Sequence, residues 1–419
     1  MGRSLSTRKS SRRAIRRSSI SSTRNWICPD RPGRPSFRRK GFIMRVLFVT
    51  SPGVGHTFPT VPTAWAFRLA GHDVLLATGH YHGYDETPAK AGLQVVDAAP
   101  DVDFTGVFSK VLRDSADLVP HLHEPSVATE ISIRLFSECS RNLLFGTMKL
   151  AERWRPDLVV HTPMDGAGPL VARKLGIPSV MHGINFGIPI DMSRSMYERM
   201  AQDYERFGVV PGAPTASIDV APPSMRSSYS HGWPMRFQPY NGGALMPEWL
   251  YTPPSKPRIT VTLGSVIPQM LGSGALRQFV AGAGEIDAEF VLTIGSANPS
   301  ELRGLPKNIR LVKWVPLNAL LATSNAVIHH GGAGTALTVI DAGLPQIVLP
   351  QGDDQFLNAN AINKRGLGSV VRPGELDADQ VHALLADTAM RAEAMNVAAE
   401  VKALPGAIEV VPKMVELAK

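Results

Sequence analysis

From residue 44 onward, short apolar runs alternate with amphipathic stretches and with turns rich in glycine or proline. The run RVLFVT at 45–50 is nearly continuous in apolar character, as a strand buried on both faces must be. A glycine loop, Ser51-Pro52-Gly53-Val54-Gly55-His56, follows it. Residues 59–69 then have helical periodicity, Gly71-His72 turns the chain, and 73–78 is apolar again. Strand, loop, helix and strand in this order predict a β-α-β unit, hence a parallel sheet with right-handed crossovers. The pattern recurs with a strand at 94–96, mostly helical residues from 101 to 153, a strand at 156–161, a helix at 166–175 and a strand at 178–182. Residues 211–257 are dense in Pro, Gly and Ser and predict loop and interdomain connection without a strong helix. The alternation restarts with a strand at 259–263, the turn Gly264-Ser265, a helix at 275–283, and strands at 290–294 and 309–312. A last helix, 407–418, follows Pro405-Gly406. Two such series in 419 residues predict two doubly wound α/β domains, because the chain is too long for one ordinary core.

One stretch organises the second series. After VKWVPLNALL, beginning at Val312, residues 326–328 read as a short strand and His329 to Thr335 as a glycine-rich turn. A helix runs from 335 to 342 and stops at Gly343, with Pro345 just beyond. Strand, glycine turn and helix start make an anion site, where backbone N–H groups point outward and the helix dipole adds about half a positive charge. It is not a P-loop, since no Lys-Ser/Thr follows the glycines. Nor does it have the spacing or strand-end acid of the G-x-G-x-x-G dinucleotide fingerprint.

Charge changes the picture only at one end. The net charge is +8, but residues 1–43 carry 13 Lys/Arg against the single acid Asp30, so the remainder is mildly acidic. A basic, Ser- and Pro-containing segment opposes folding, and is compatible with nucleic-acid binding or with an organelle transit peptide. An upstream start codon is the simpler explanation, with Met44 opening the first convincing strand. Two cysteines, Cys28 and Cys139, give no disulfide framework and fit a reducing cytoplasm. No apolar run approaches a membrane span, and no acidic metal pair is visible.

Taken together, Trp314-x-Pro316, H-H-G-G-x-G-T at 329–335, Gly343-x-Pro345-Gln346 and Asp354-Gln355 resemble the nucleotide-sugar signature of family 1 glycosyltransferases with the GT-B fold. The segment Met235-Arg236-Phe237-Gln238-Pro239-Tyr240-Asn241-Gly242 resembles the Arg-x-x-Pro-Tyr-Asn-Gly element of deoxysugar transferases in antibiotic biosynthesis. Residues 44 to 419 are thus similar to transferases of macrolide, anthracycline and enediyne pathways, calicheamicin types included. The resemblance implies two Rossmann-like, doubly wound parallel-sheet domains facing across a cleft. It divides the chain into an acceptor-binding domain at 44–240, a linker at 241–258, a nucleotide-sugar-binding domain at 259–405, and a helix at 406–419 packing back on the first domain.

His56, by itself, either caps the following helix or serves as a base near neutral pH. The resemblance makes it the base, since it ends a P-x-x-G-H element. Relatives pair that histidine with a carboxylate at the place held here by Thr162. Asp165 lies three residues on, and the partner is open between the two. Ser265 would lie near the donor phosphates or cap a helix. His330 matches the phosphate-contacting histidine, while His329 reads as structural. Gly331, Gly332, Ala333, Gly334 and Thr335 would supply backbone donors, Trp314 a wall for the nucleobase, and the Val315 backbone a contact to its edge. Asp354 and Gln355 match the pair that holds the donor sugar. Phe104, Phe108, His121, Phe136, Phe186 and Trp233 are candidate acceptor walls on aromatic character and placement.

The activity implied is inverting, metal-independent transfer of a deoxysugar from a TDP-sugar co-substrate to a hydroxyl of a polyketide-type or other aromatic natural product. No further cofactor is expected, and neither nucleic acid nor membrane as partner. A homodimer and an auxiliary activator protein stay open. UDP-sugar-dependent transfer to small lipophilic acceptors is the alternative, as is a catalytically impaired sugar-nucleotide-binding protein. The location expected is cytoplasmic.

Overall fold

The computed structural model describes residues 43–80, 87–122, 124–187, 190–226, 231–264, 283–295, 304–352 and 354–419. Ser265, most of the helix expected at 275–283 and nearly all of the basic segment 1–43 lie outside these residues.

Among them the first series builds a seven-stranded sheet from β1 (Arg45–Val49), β2 (Asp73–Thr78), β3 (Val95–Asp97), β4 (Leu158–His161), β5 (Ser179–His182), β6 (Ala216–Asp219) and β7 (Trp233–Pro234). Its order is β3-β2-β1-β4-β5-β6-β7, and every pairing is parallel. The second series builds a six-stranded sheet from β8 (Arg258–Thr262), β9 (Glu289–Thr293), β10 (Ile309–Val312), β11 (Ala326–His329), β12 (Gln346–Val348) and β13 (Gly368–Val370). Its order, β10-β9-β8-β11-β12-β13, is again parallel throughout. The two sheets are wound alike. In each, the strand order reverses beside the first strand, between β1 and β4 and between β8 and β11, and such a reversal opens a crevice at the strand C-termini.

Pairing sets what meets there. Val49 is opposite His161, so the loops after β1 and β4 leave the sheet side by side. Thr262 is opposite His329, which does the same for the loops after β8 and β11. Sequence reading did not predict β13, nor β6 and β7, which fall inside the stretch expected to be loop and connection. β6 and β7 are four and two residues long; β7 is at the sheet edge, and its Pro234 lacks the N–H that an interior strand needs. No tract of continuous apolar pattern marks them.

One core cluster runs through both halves. Phe48, Val61, Phe67 and Val160 join Leu337, Ile340 and Ile362, together with Val410, Val411 and Met414 of the last helix, Ala407–Glu416. The opposite face of the first sheet is covered by the long helix Pro125–Trp154 and by Ala167–Leu175. Among the described residues, no helix is long and apolar enough to cross a membrane.

Candidate functional site

The turn after β11 is built around two histidines with different tasks. His329 is fully buried, and its Nδ1 accepts the Gly331 N–H at 3.0 Å while Nε2 stands 2.7 Å from Gln346 Oε1. With Nδ1 accepting, the ring carries its proton on Nε2 and donates it to Gln346. Both nitrogens are therefore used to hold the turn. Gly331 has φ +91°, and a Cβ there would come within 2.8 Å of Val348 Cγ1, so neither the conformation nor the space admits a side chain. The Gly331 carbonyl accepts from Asn358 Nδ2 at 2.9 Å, tying the turn to the helix Gln355–Lys364.

His330 sits in a notch made by two glycines. A Cβ on Gly264, after β8, would stand 2.6 Å from its Cε1, and one on Gly332 would stand 2.4 Å from its Nε2. The ring is buried, and Nδ1 has no hydrogen-bond partner. Burial, assisted by the neighbouring His329, pushes its pKa down to about 3. Gly332 then begins the helix Ala333–Ala342, which ends at Gly343 in the left-handed region, φ 68°. The Ala336 N–H is the first to close on Gly332 O, so the N–H groups of Ala333, Gly334 and Thr335 have no partner within the helix. These residues are half-exposed, which leaves the donors open to an anion.

Around this turn, Trp314 is 44% exposed, whereas the Val315 side chain is buried with Leu250, Val291 and Leu320. A buried side chain leaves Val315 only its backbone to offer. Asp354 occupies the N-cap position of the helix Gln355–Lys364, and Gln355 Oε1 accepts the Gln351 N–H at 2.9 Å.

In the first half, Gly53 with φ 109° turns the chain into the short helix Val54–Thr57, which carries His56. The ring is half-buried, Nδ1 has no hydrogen-bond partner, and the Phe136 ring lies against it with centroids 4.7 Å apart at 62°. Desolvation pushes the His56 pKa down to about 4, away from the ordinary histidine value near 6.5. Neither residue expected to support it is bonded to it. Asp165 is buried and accepts from the Ala167 N–H through Oδ1 and from the Gly168 N–H through Oδ2, both at 3.0 Å. It thus caps the helix Ala167–Leu175, and desolvation raises its carboxyl to about 7. Thr162 is fully buried, with Oγ1 unpartnered.

Of the expected acceptor walls, the structure brings Phe136 to His56. Phe104 belongs to the core instead, where it fills the space a Cβ on Gly79 would take. Phe186 is buried in the other core, and Trp233 packs at its edge with Lys413 of the last helix 6.0 Å from its ring. Phe108 is half-buried on the helix Phe104–Asp114, and His121 is an exposed partner of Glu124 at 3.1 Å. Aromatic character could not separate these roles, because core and wall positions favour the same residues.

One cluster escaped sequence reading. Tyr240 meets Phe58 at 4.8 Å and Trp65 at 5.2 Å, edge to face, while Asn241 Oδ1 accepts the Asn318 N–H at 3.0 Å. The segment 240–242 therefore joins the loop region of His56 to that of Trp314. Its residues were legible as a family marker, without a contact to explain them.

The chain matches two family models, Erythromycin biosynthesis protein CIII-like N-terminal domain over residues 65–264 and the corresponding C-terminal domain over 277–417. The elloramycin glycosyltransferase ElmGT of Streptomyces olivaceus is 36% identical over 375 residues, spanning 88% of this chain and 97% of that protein. The crystal structure of the glycosyltransferase SnogD from Streptomyces nogalater is similar with a TM-score of 0.77 at 38% identity, covering 90% of this chain and 100% of that one. The glycosyltransferase SsfS6 of Streptomyces sp. SF2575, complexed with thymidine diphosphate, has a TM-score of 0.75 at 27% identity, covering 89% of this chain and 99% of that one.

Proposed function

The chain belongs to the Erythromycin biosynthesis protein CIII-like family of GT-B glycosyltransferases, and on that premise we propose that it transfers a deoxysugar from a TDP-sugar to a natural-product hydroxyl, with inversion and without a metal ion. The acceptor class is polyketide-type or aromatic. One observation carries the reading: the buried His330 in its glycine notch, beside three unpaired N–H groups of the helix Ala333–Ala342. That arrangement suits a diphosphate, and a relative of the same fold is complexed with thymidine diphosphate.

His56, neutral at pH 7, takes the proton of the acceptor hydroxyl as its oxygen attacks the anomeric carbon. The bond from that carbon to the diphosphate oxygen breaks on the opposite face, and TDP leaves. Charge growing on the diphosphate is met by His330 and by the N–H groups of Ala333, Gly334 and Thr335, donors already in place before reaction. Trp314 stacks on the base, Val315 reads its edge through the backbone, and Asp354 and Gln355 hold the sugar. Ser265 joins the phosphate contacts. The working division proposed is an acceptor domain at 44–240, a linker at 241–258, a donor domain at 259–405 and a returning helix at 406–419.

Calorimetric titration with TDP and UDP, followed by transfer assays with TDP-deoxysugars in the presence of EDTA, tests the proposal. Micromolar TDP binding and EDTA-resistant transfer to an aromatic polyketide support it; EDTA-sensitive transfer rejects metal independence. A donor-binding protein without transfer is the second reading, favoured by the unpartnered Nδ1 of His56. Turnover abolished by His56→Ala rejects that second reading.

A further inference from the structure

A histidine that works as a base must be held in one orientation, and in many enzymes a carboxylate does this through the second ring nitrogen. Here the second nitrogen has no such partner. His56 Nδ1 is buried and unbonded, both oxygens of Asp165 are taken by backbone N–H groups, and the side chain after β4 is the uncharged Thr162. The group that does meet the imidazole is the Phe136 ring, edge to face at 4.7 Å. We propose that Phe136 is the positioning residue of His56, fixing the orientation of the ring by packing where a carboxylate would do so by charge and hydrogen bonding. The proposal rests on His56 being the base.

The placement of Phe136 suits the task. It projects from the middle of the 30-residue helix Pro125–Trp154. That helix is anchored by Ile133, Ser137, Cys139 and Ser140, all buried around it, and Ser140 Oγ accepts the Gly166 N–H at 2.9 Å beside the Asp165 cap. A rigid element therefore carries the ring to the short helix Val54–Thr57. An edge-to-face contact between an aromatic ring and an imidazole is a favoured geometry, and it excludes water from that side.

The charged groups on the surrounding elements are turned to other partners. On the long helix, Arg134 Nε donates to Glu130 at 2.7 Å, and Arg141 bridges Glu138 and Asp203. After β4, His161 Nδ1 is paired with the Thr162 carbonyl at 3.1 Å. Ser51 Oγ, on the loop of His56 itself, donates to the Met164 carbonyl at 3.1 Å, and Lys90 on the helix Thr87–Lys90 is exposed. Desolvation, with no charge acting on the ring, lowers its affinity for protons. Removing the ring that desolvates it must raise that affinity.

The test is an NMR titration of the His56 Cε1–H resonance in the full chain, assigned by its loss in His56→Ala. Phe136→Ala should move the midpoint upward toward the ordinary histidine value of about 6.5. Turnover should fall by roughly tenfold to a hundredfold at unchanged donor KM, as loss of alignment alone predicts. Phe136→Leu, which keeps apolar cover, should place the midpoint between the two and recover part of the turnover. A midpoint in Phe136→Ala equal to the parent value overturns the proposal, whatever the turnover. Should the alanine variant not fold, an unshifted midpoint in Phe136→Leu does the same. Failure of the base assignment is a separate result, read as undiminished turnover in His56→Ala.

Discussion

Trp314 lies across the backbone of Gly242: a Cβ added to that glycine would stand 3.2 Å from Trp314 Cζ2, and its φ is +79°. The indole proposed to face the nucleobase is thus buttressed from behind by the linker. Gly242→Ala should both strain the backbone and push the indole forward, whereas Trp314→Ala removes the stacking surface. Base stacking on an aromatic ring is worth roughly 1–3 kcal/mol, so TDP affinity should fall about fivefold to a hundredfold in Trp314→Ala. Gly242→Ala should lose a smaller share, and Trp314→Phe should regain most. Calorimetry finding parental TDP affinity in Trp314→Ala would remove Trp314 from the nucleotide site.

His330 gives the second expectation. A hydrogen bond to a charged group contributes roughly 1.5–3 kcal/mol, so His330→Ala should weaken TDP binding about tenfold to a hundredfold. Gly332→Ala should do comparable damage through a different route, since its Cβ would collide with His330 Nε2. Asp354→Ala should spare free TDP and weaken only the sugar-bearing donor. Equal loss for TDP and TDP-sugar in Asp354→Ala contradicts the assignment of the sugar subsite.

What could be read from sequence divides by the kind of signal. The winding of both sheets was legible because buried parallel strands are continuous apolar runs, as at RVLFV and AVIH. A glycine turn after β11 was legible because glycine spacing reports backbone conformation directly, and Gly331 with φ +91° is such a case. The turn is shorter than the expected 329–335, since His329 ends β11 and the helix begins at Ala333. Strands β6 and β7 were not legible, being only four and two residues long in a stretch without a continuous apolar pattern. The partner of His56 was not either. Spacing can name Thr162 and Asp165 as neighbours, but only three-dimensional packing shows the Asp165 oxygens directed at Ala167 and Gly168, and Phe136 arriving from a distant helix.

Buried histidines predict how stability depends on pH. His56, His161, His182 and His329 are held down to about 4 and His330 to about 3, all by desolvation first. Unfolded, each titrates near 6.5, so between about pH 6.5 and 4 the unfolded chain binds more protons and acidification destabilises the fold. Asp165, raised to about 7, acts in the opposite sense over nearly the same window, because acid relieves its buried charge. Five groups against one leave a net uptake of about four protons on unfolding. The melting temperature should therefore fall steeply from pH 7 to pH 5, and His182→Gln should flatten the slope by about one proton. A melting temperature that is level or rises over that interval contradicts the burial of these rings as neutral species.

The two positions proposed for the partner of His56, Asp165 and Thr162, respond differently to substitution. If Asp165 serves the Ala167 and Gly168 N–H groups, Asp165→Ala leaves two buried donors unpaired, at about 1–3 kcal/mol each. The melting temperature should drop, while turnover per folded molecule stays within a few-fold of the parent. Asp165→Asn keeps one acceptor and should recover part of the loss. Thr162→Asp introduces a carboxylate just after β4, and an anion beside His56 favours the protonated ring. The acid limb of kcat/KM, which reports the free enzyme, should lie near pH 4 in the parent on the His56 value, not at the ordinary 6.5. In Thr162→Asp that limb should move upward. Turnover on weakly acidic acceptor hydroxyls should rise as well, since a stronger base takes a less acidic proton more readily. His56→Ala should lower turnover by about two to four orders of magnitude at unchanged TDP affinity. Loss of turnover in Asp165→Asn as deep as in His56→Ala, with the melting temperature kept, would make Asp165 the partner after all and reduce its backbone contacts to a resting arrangement.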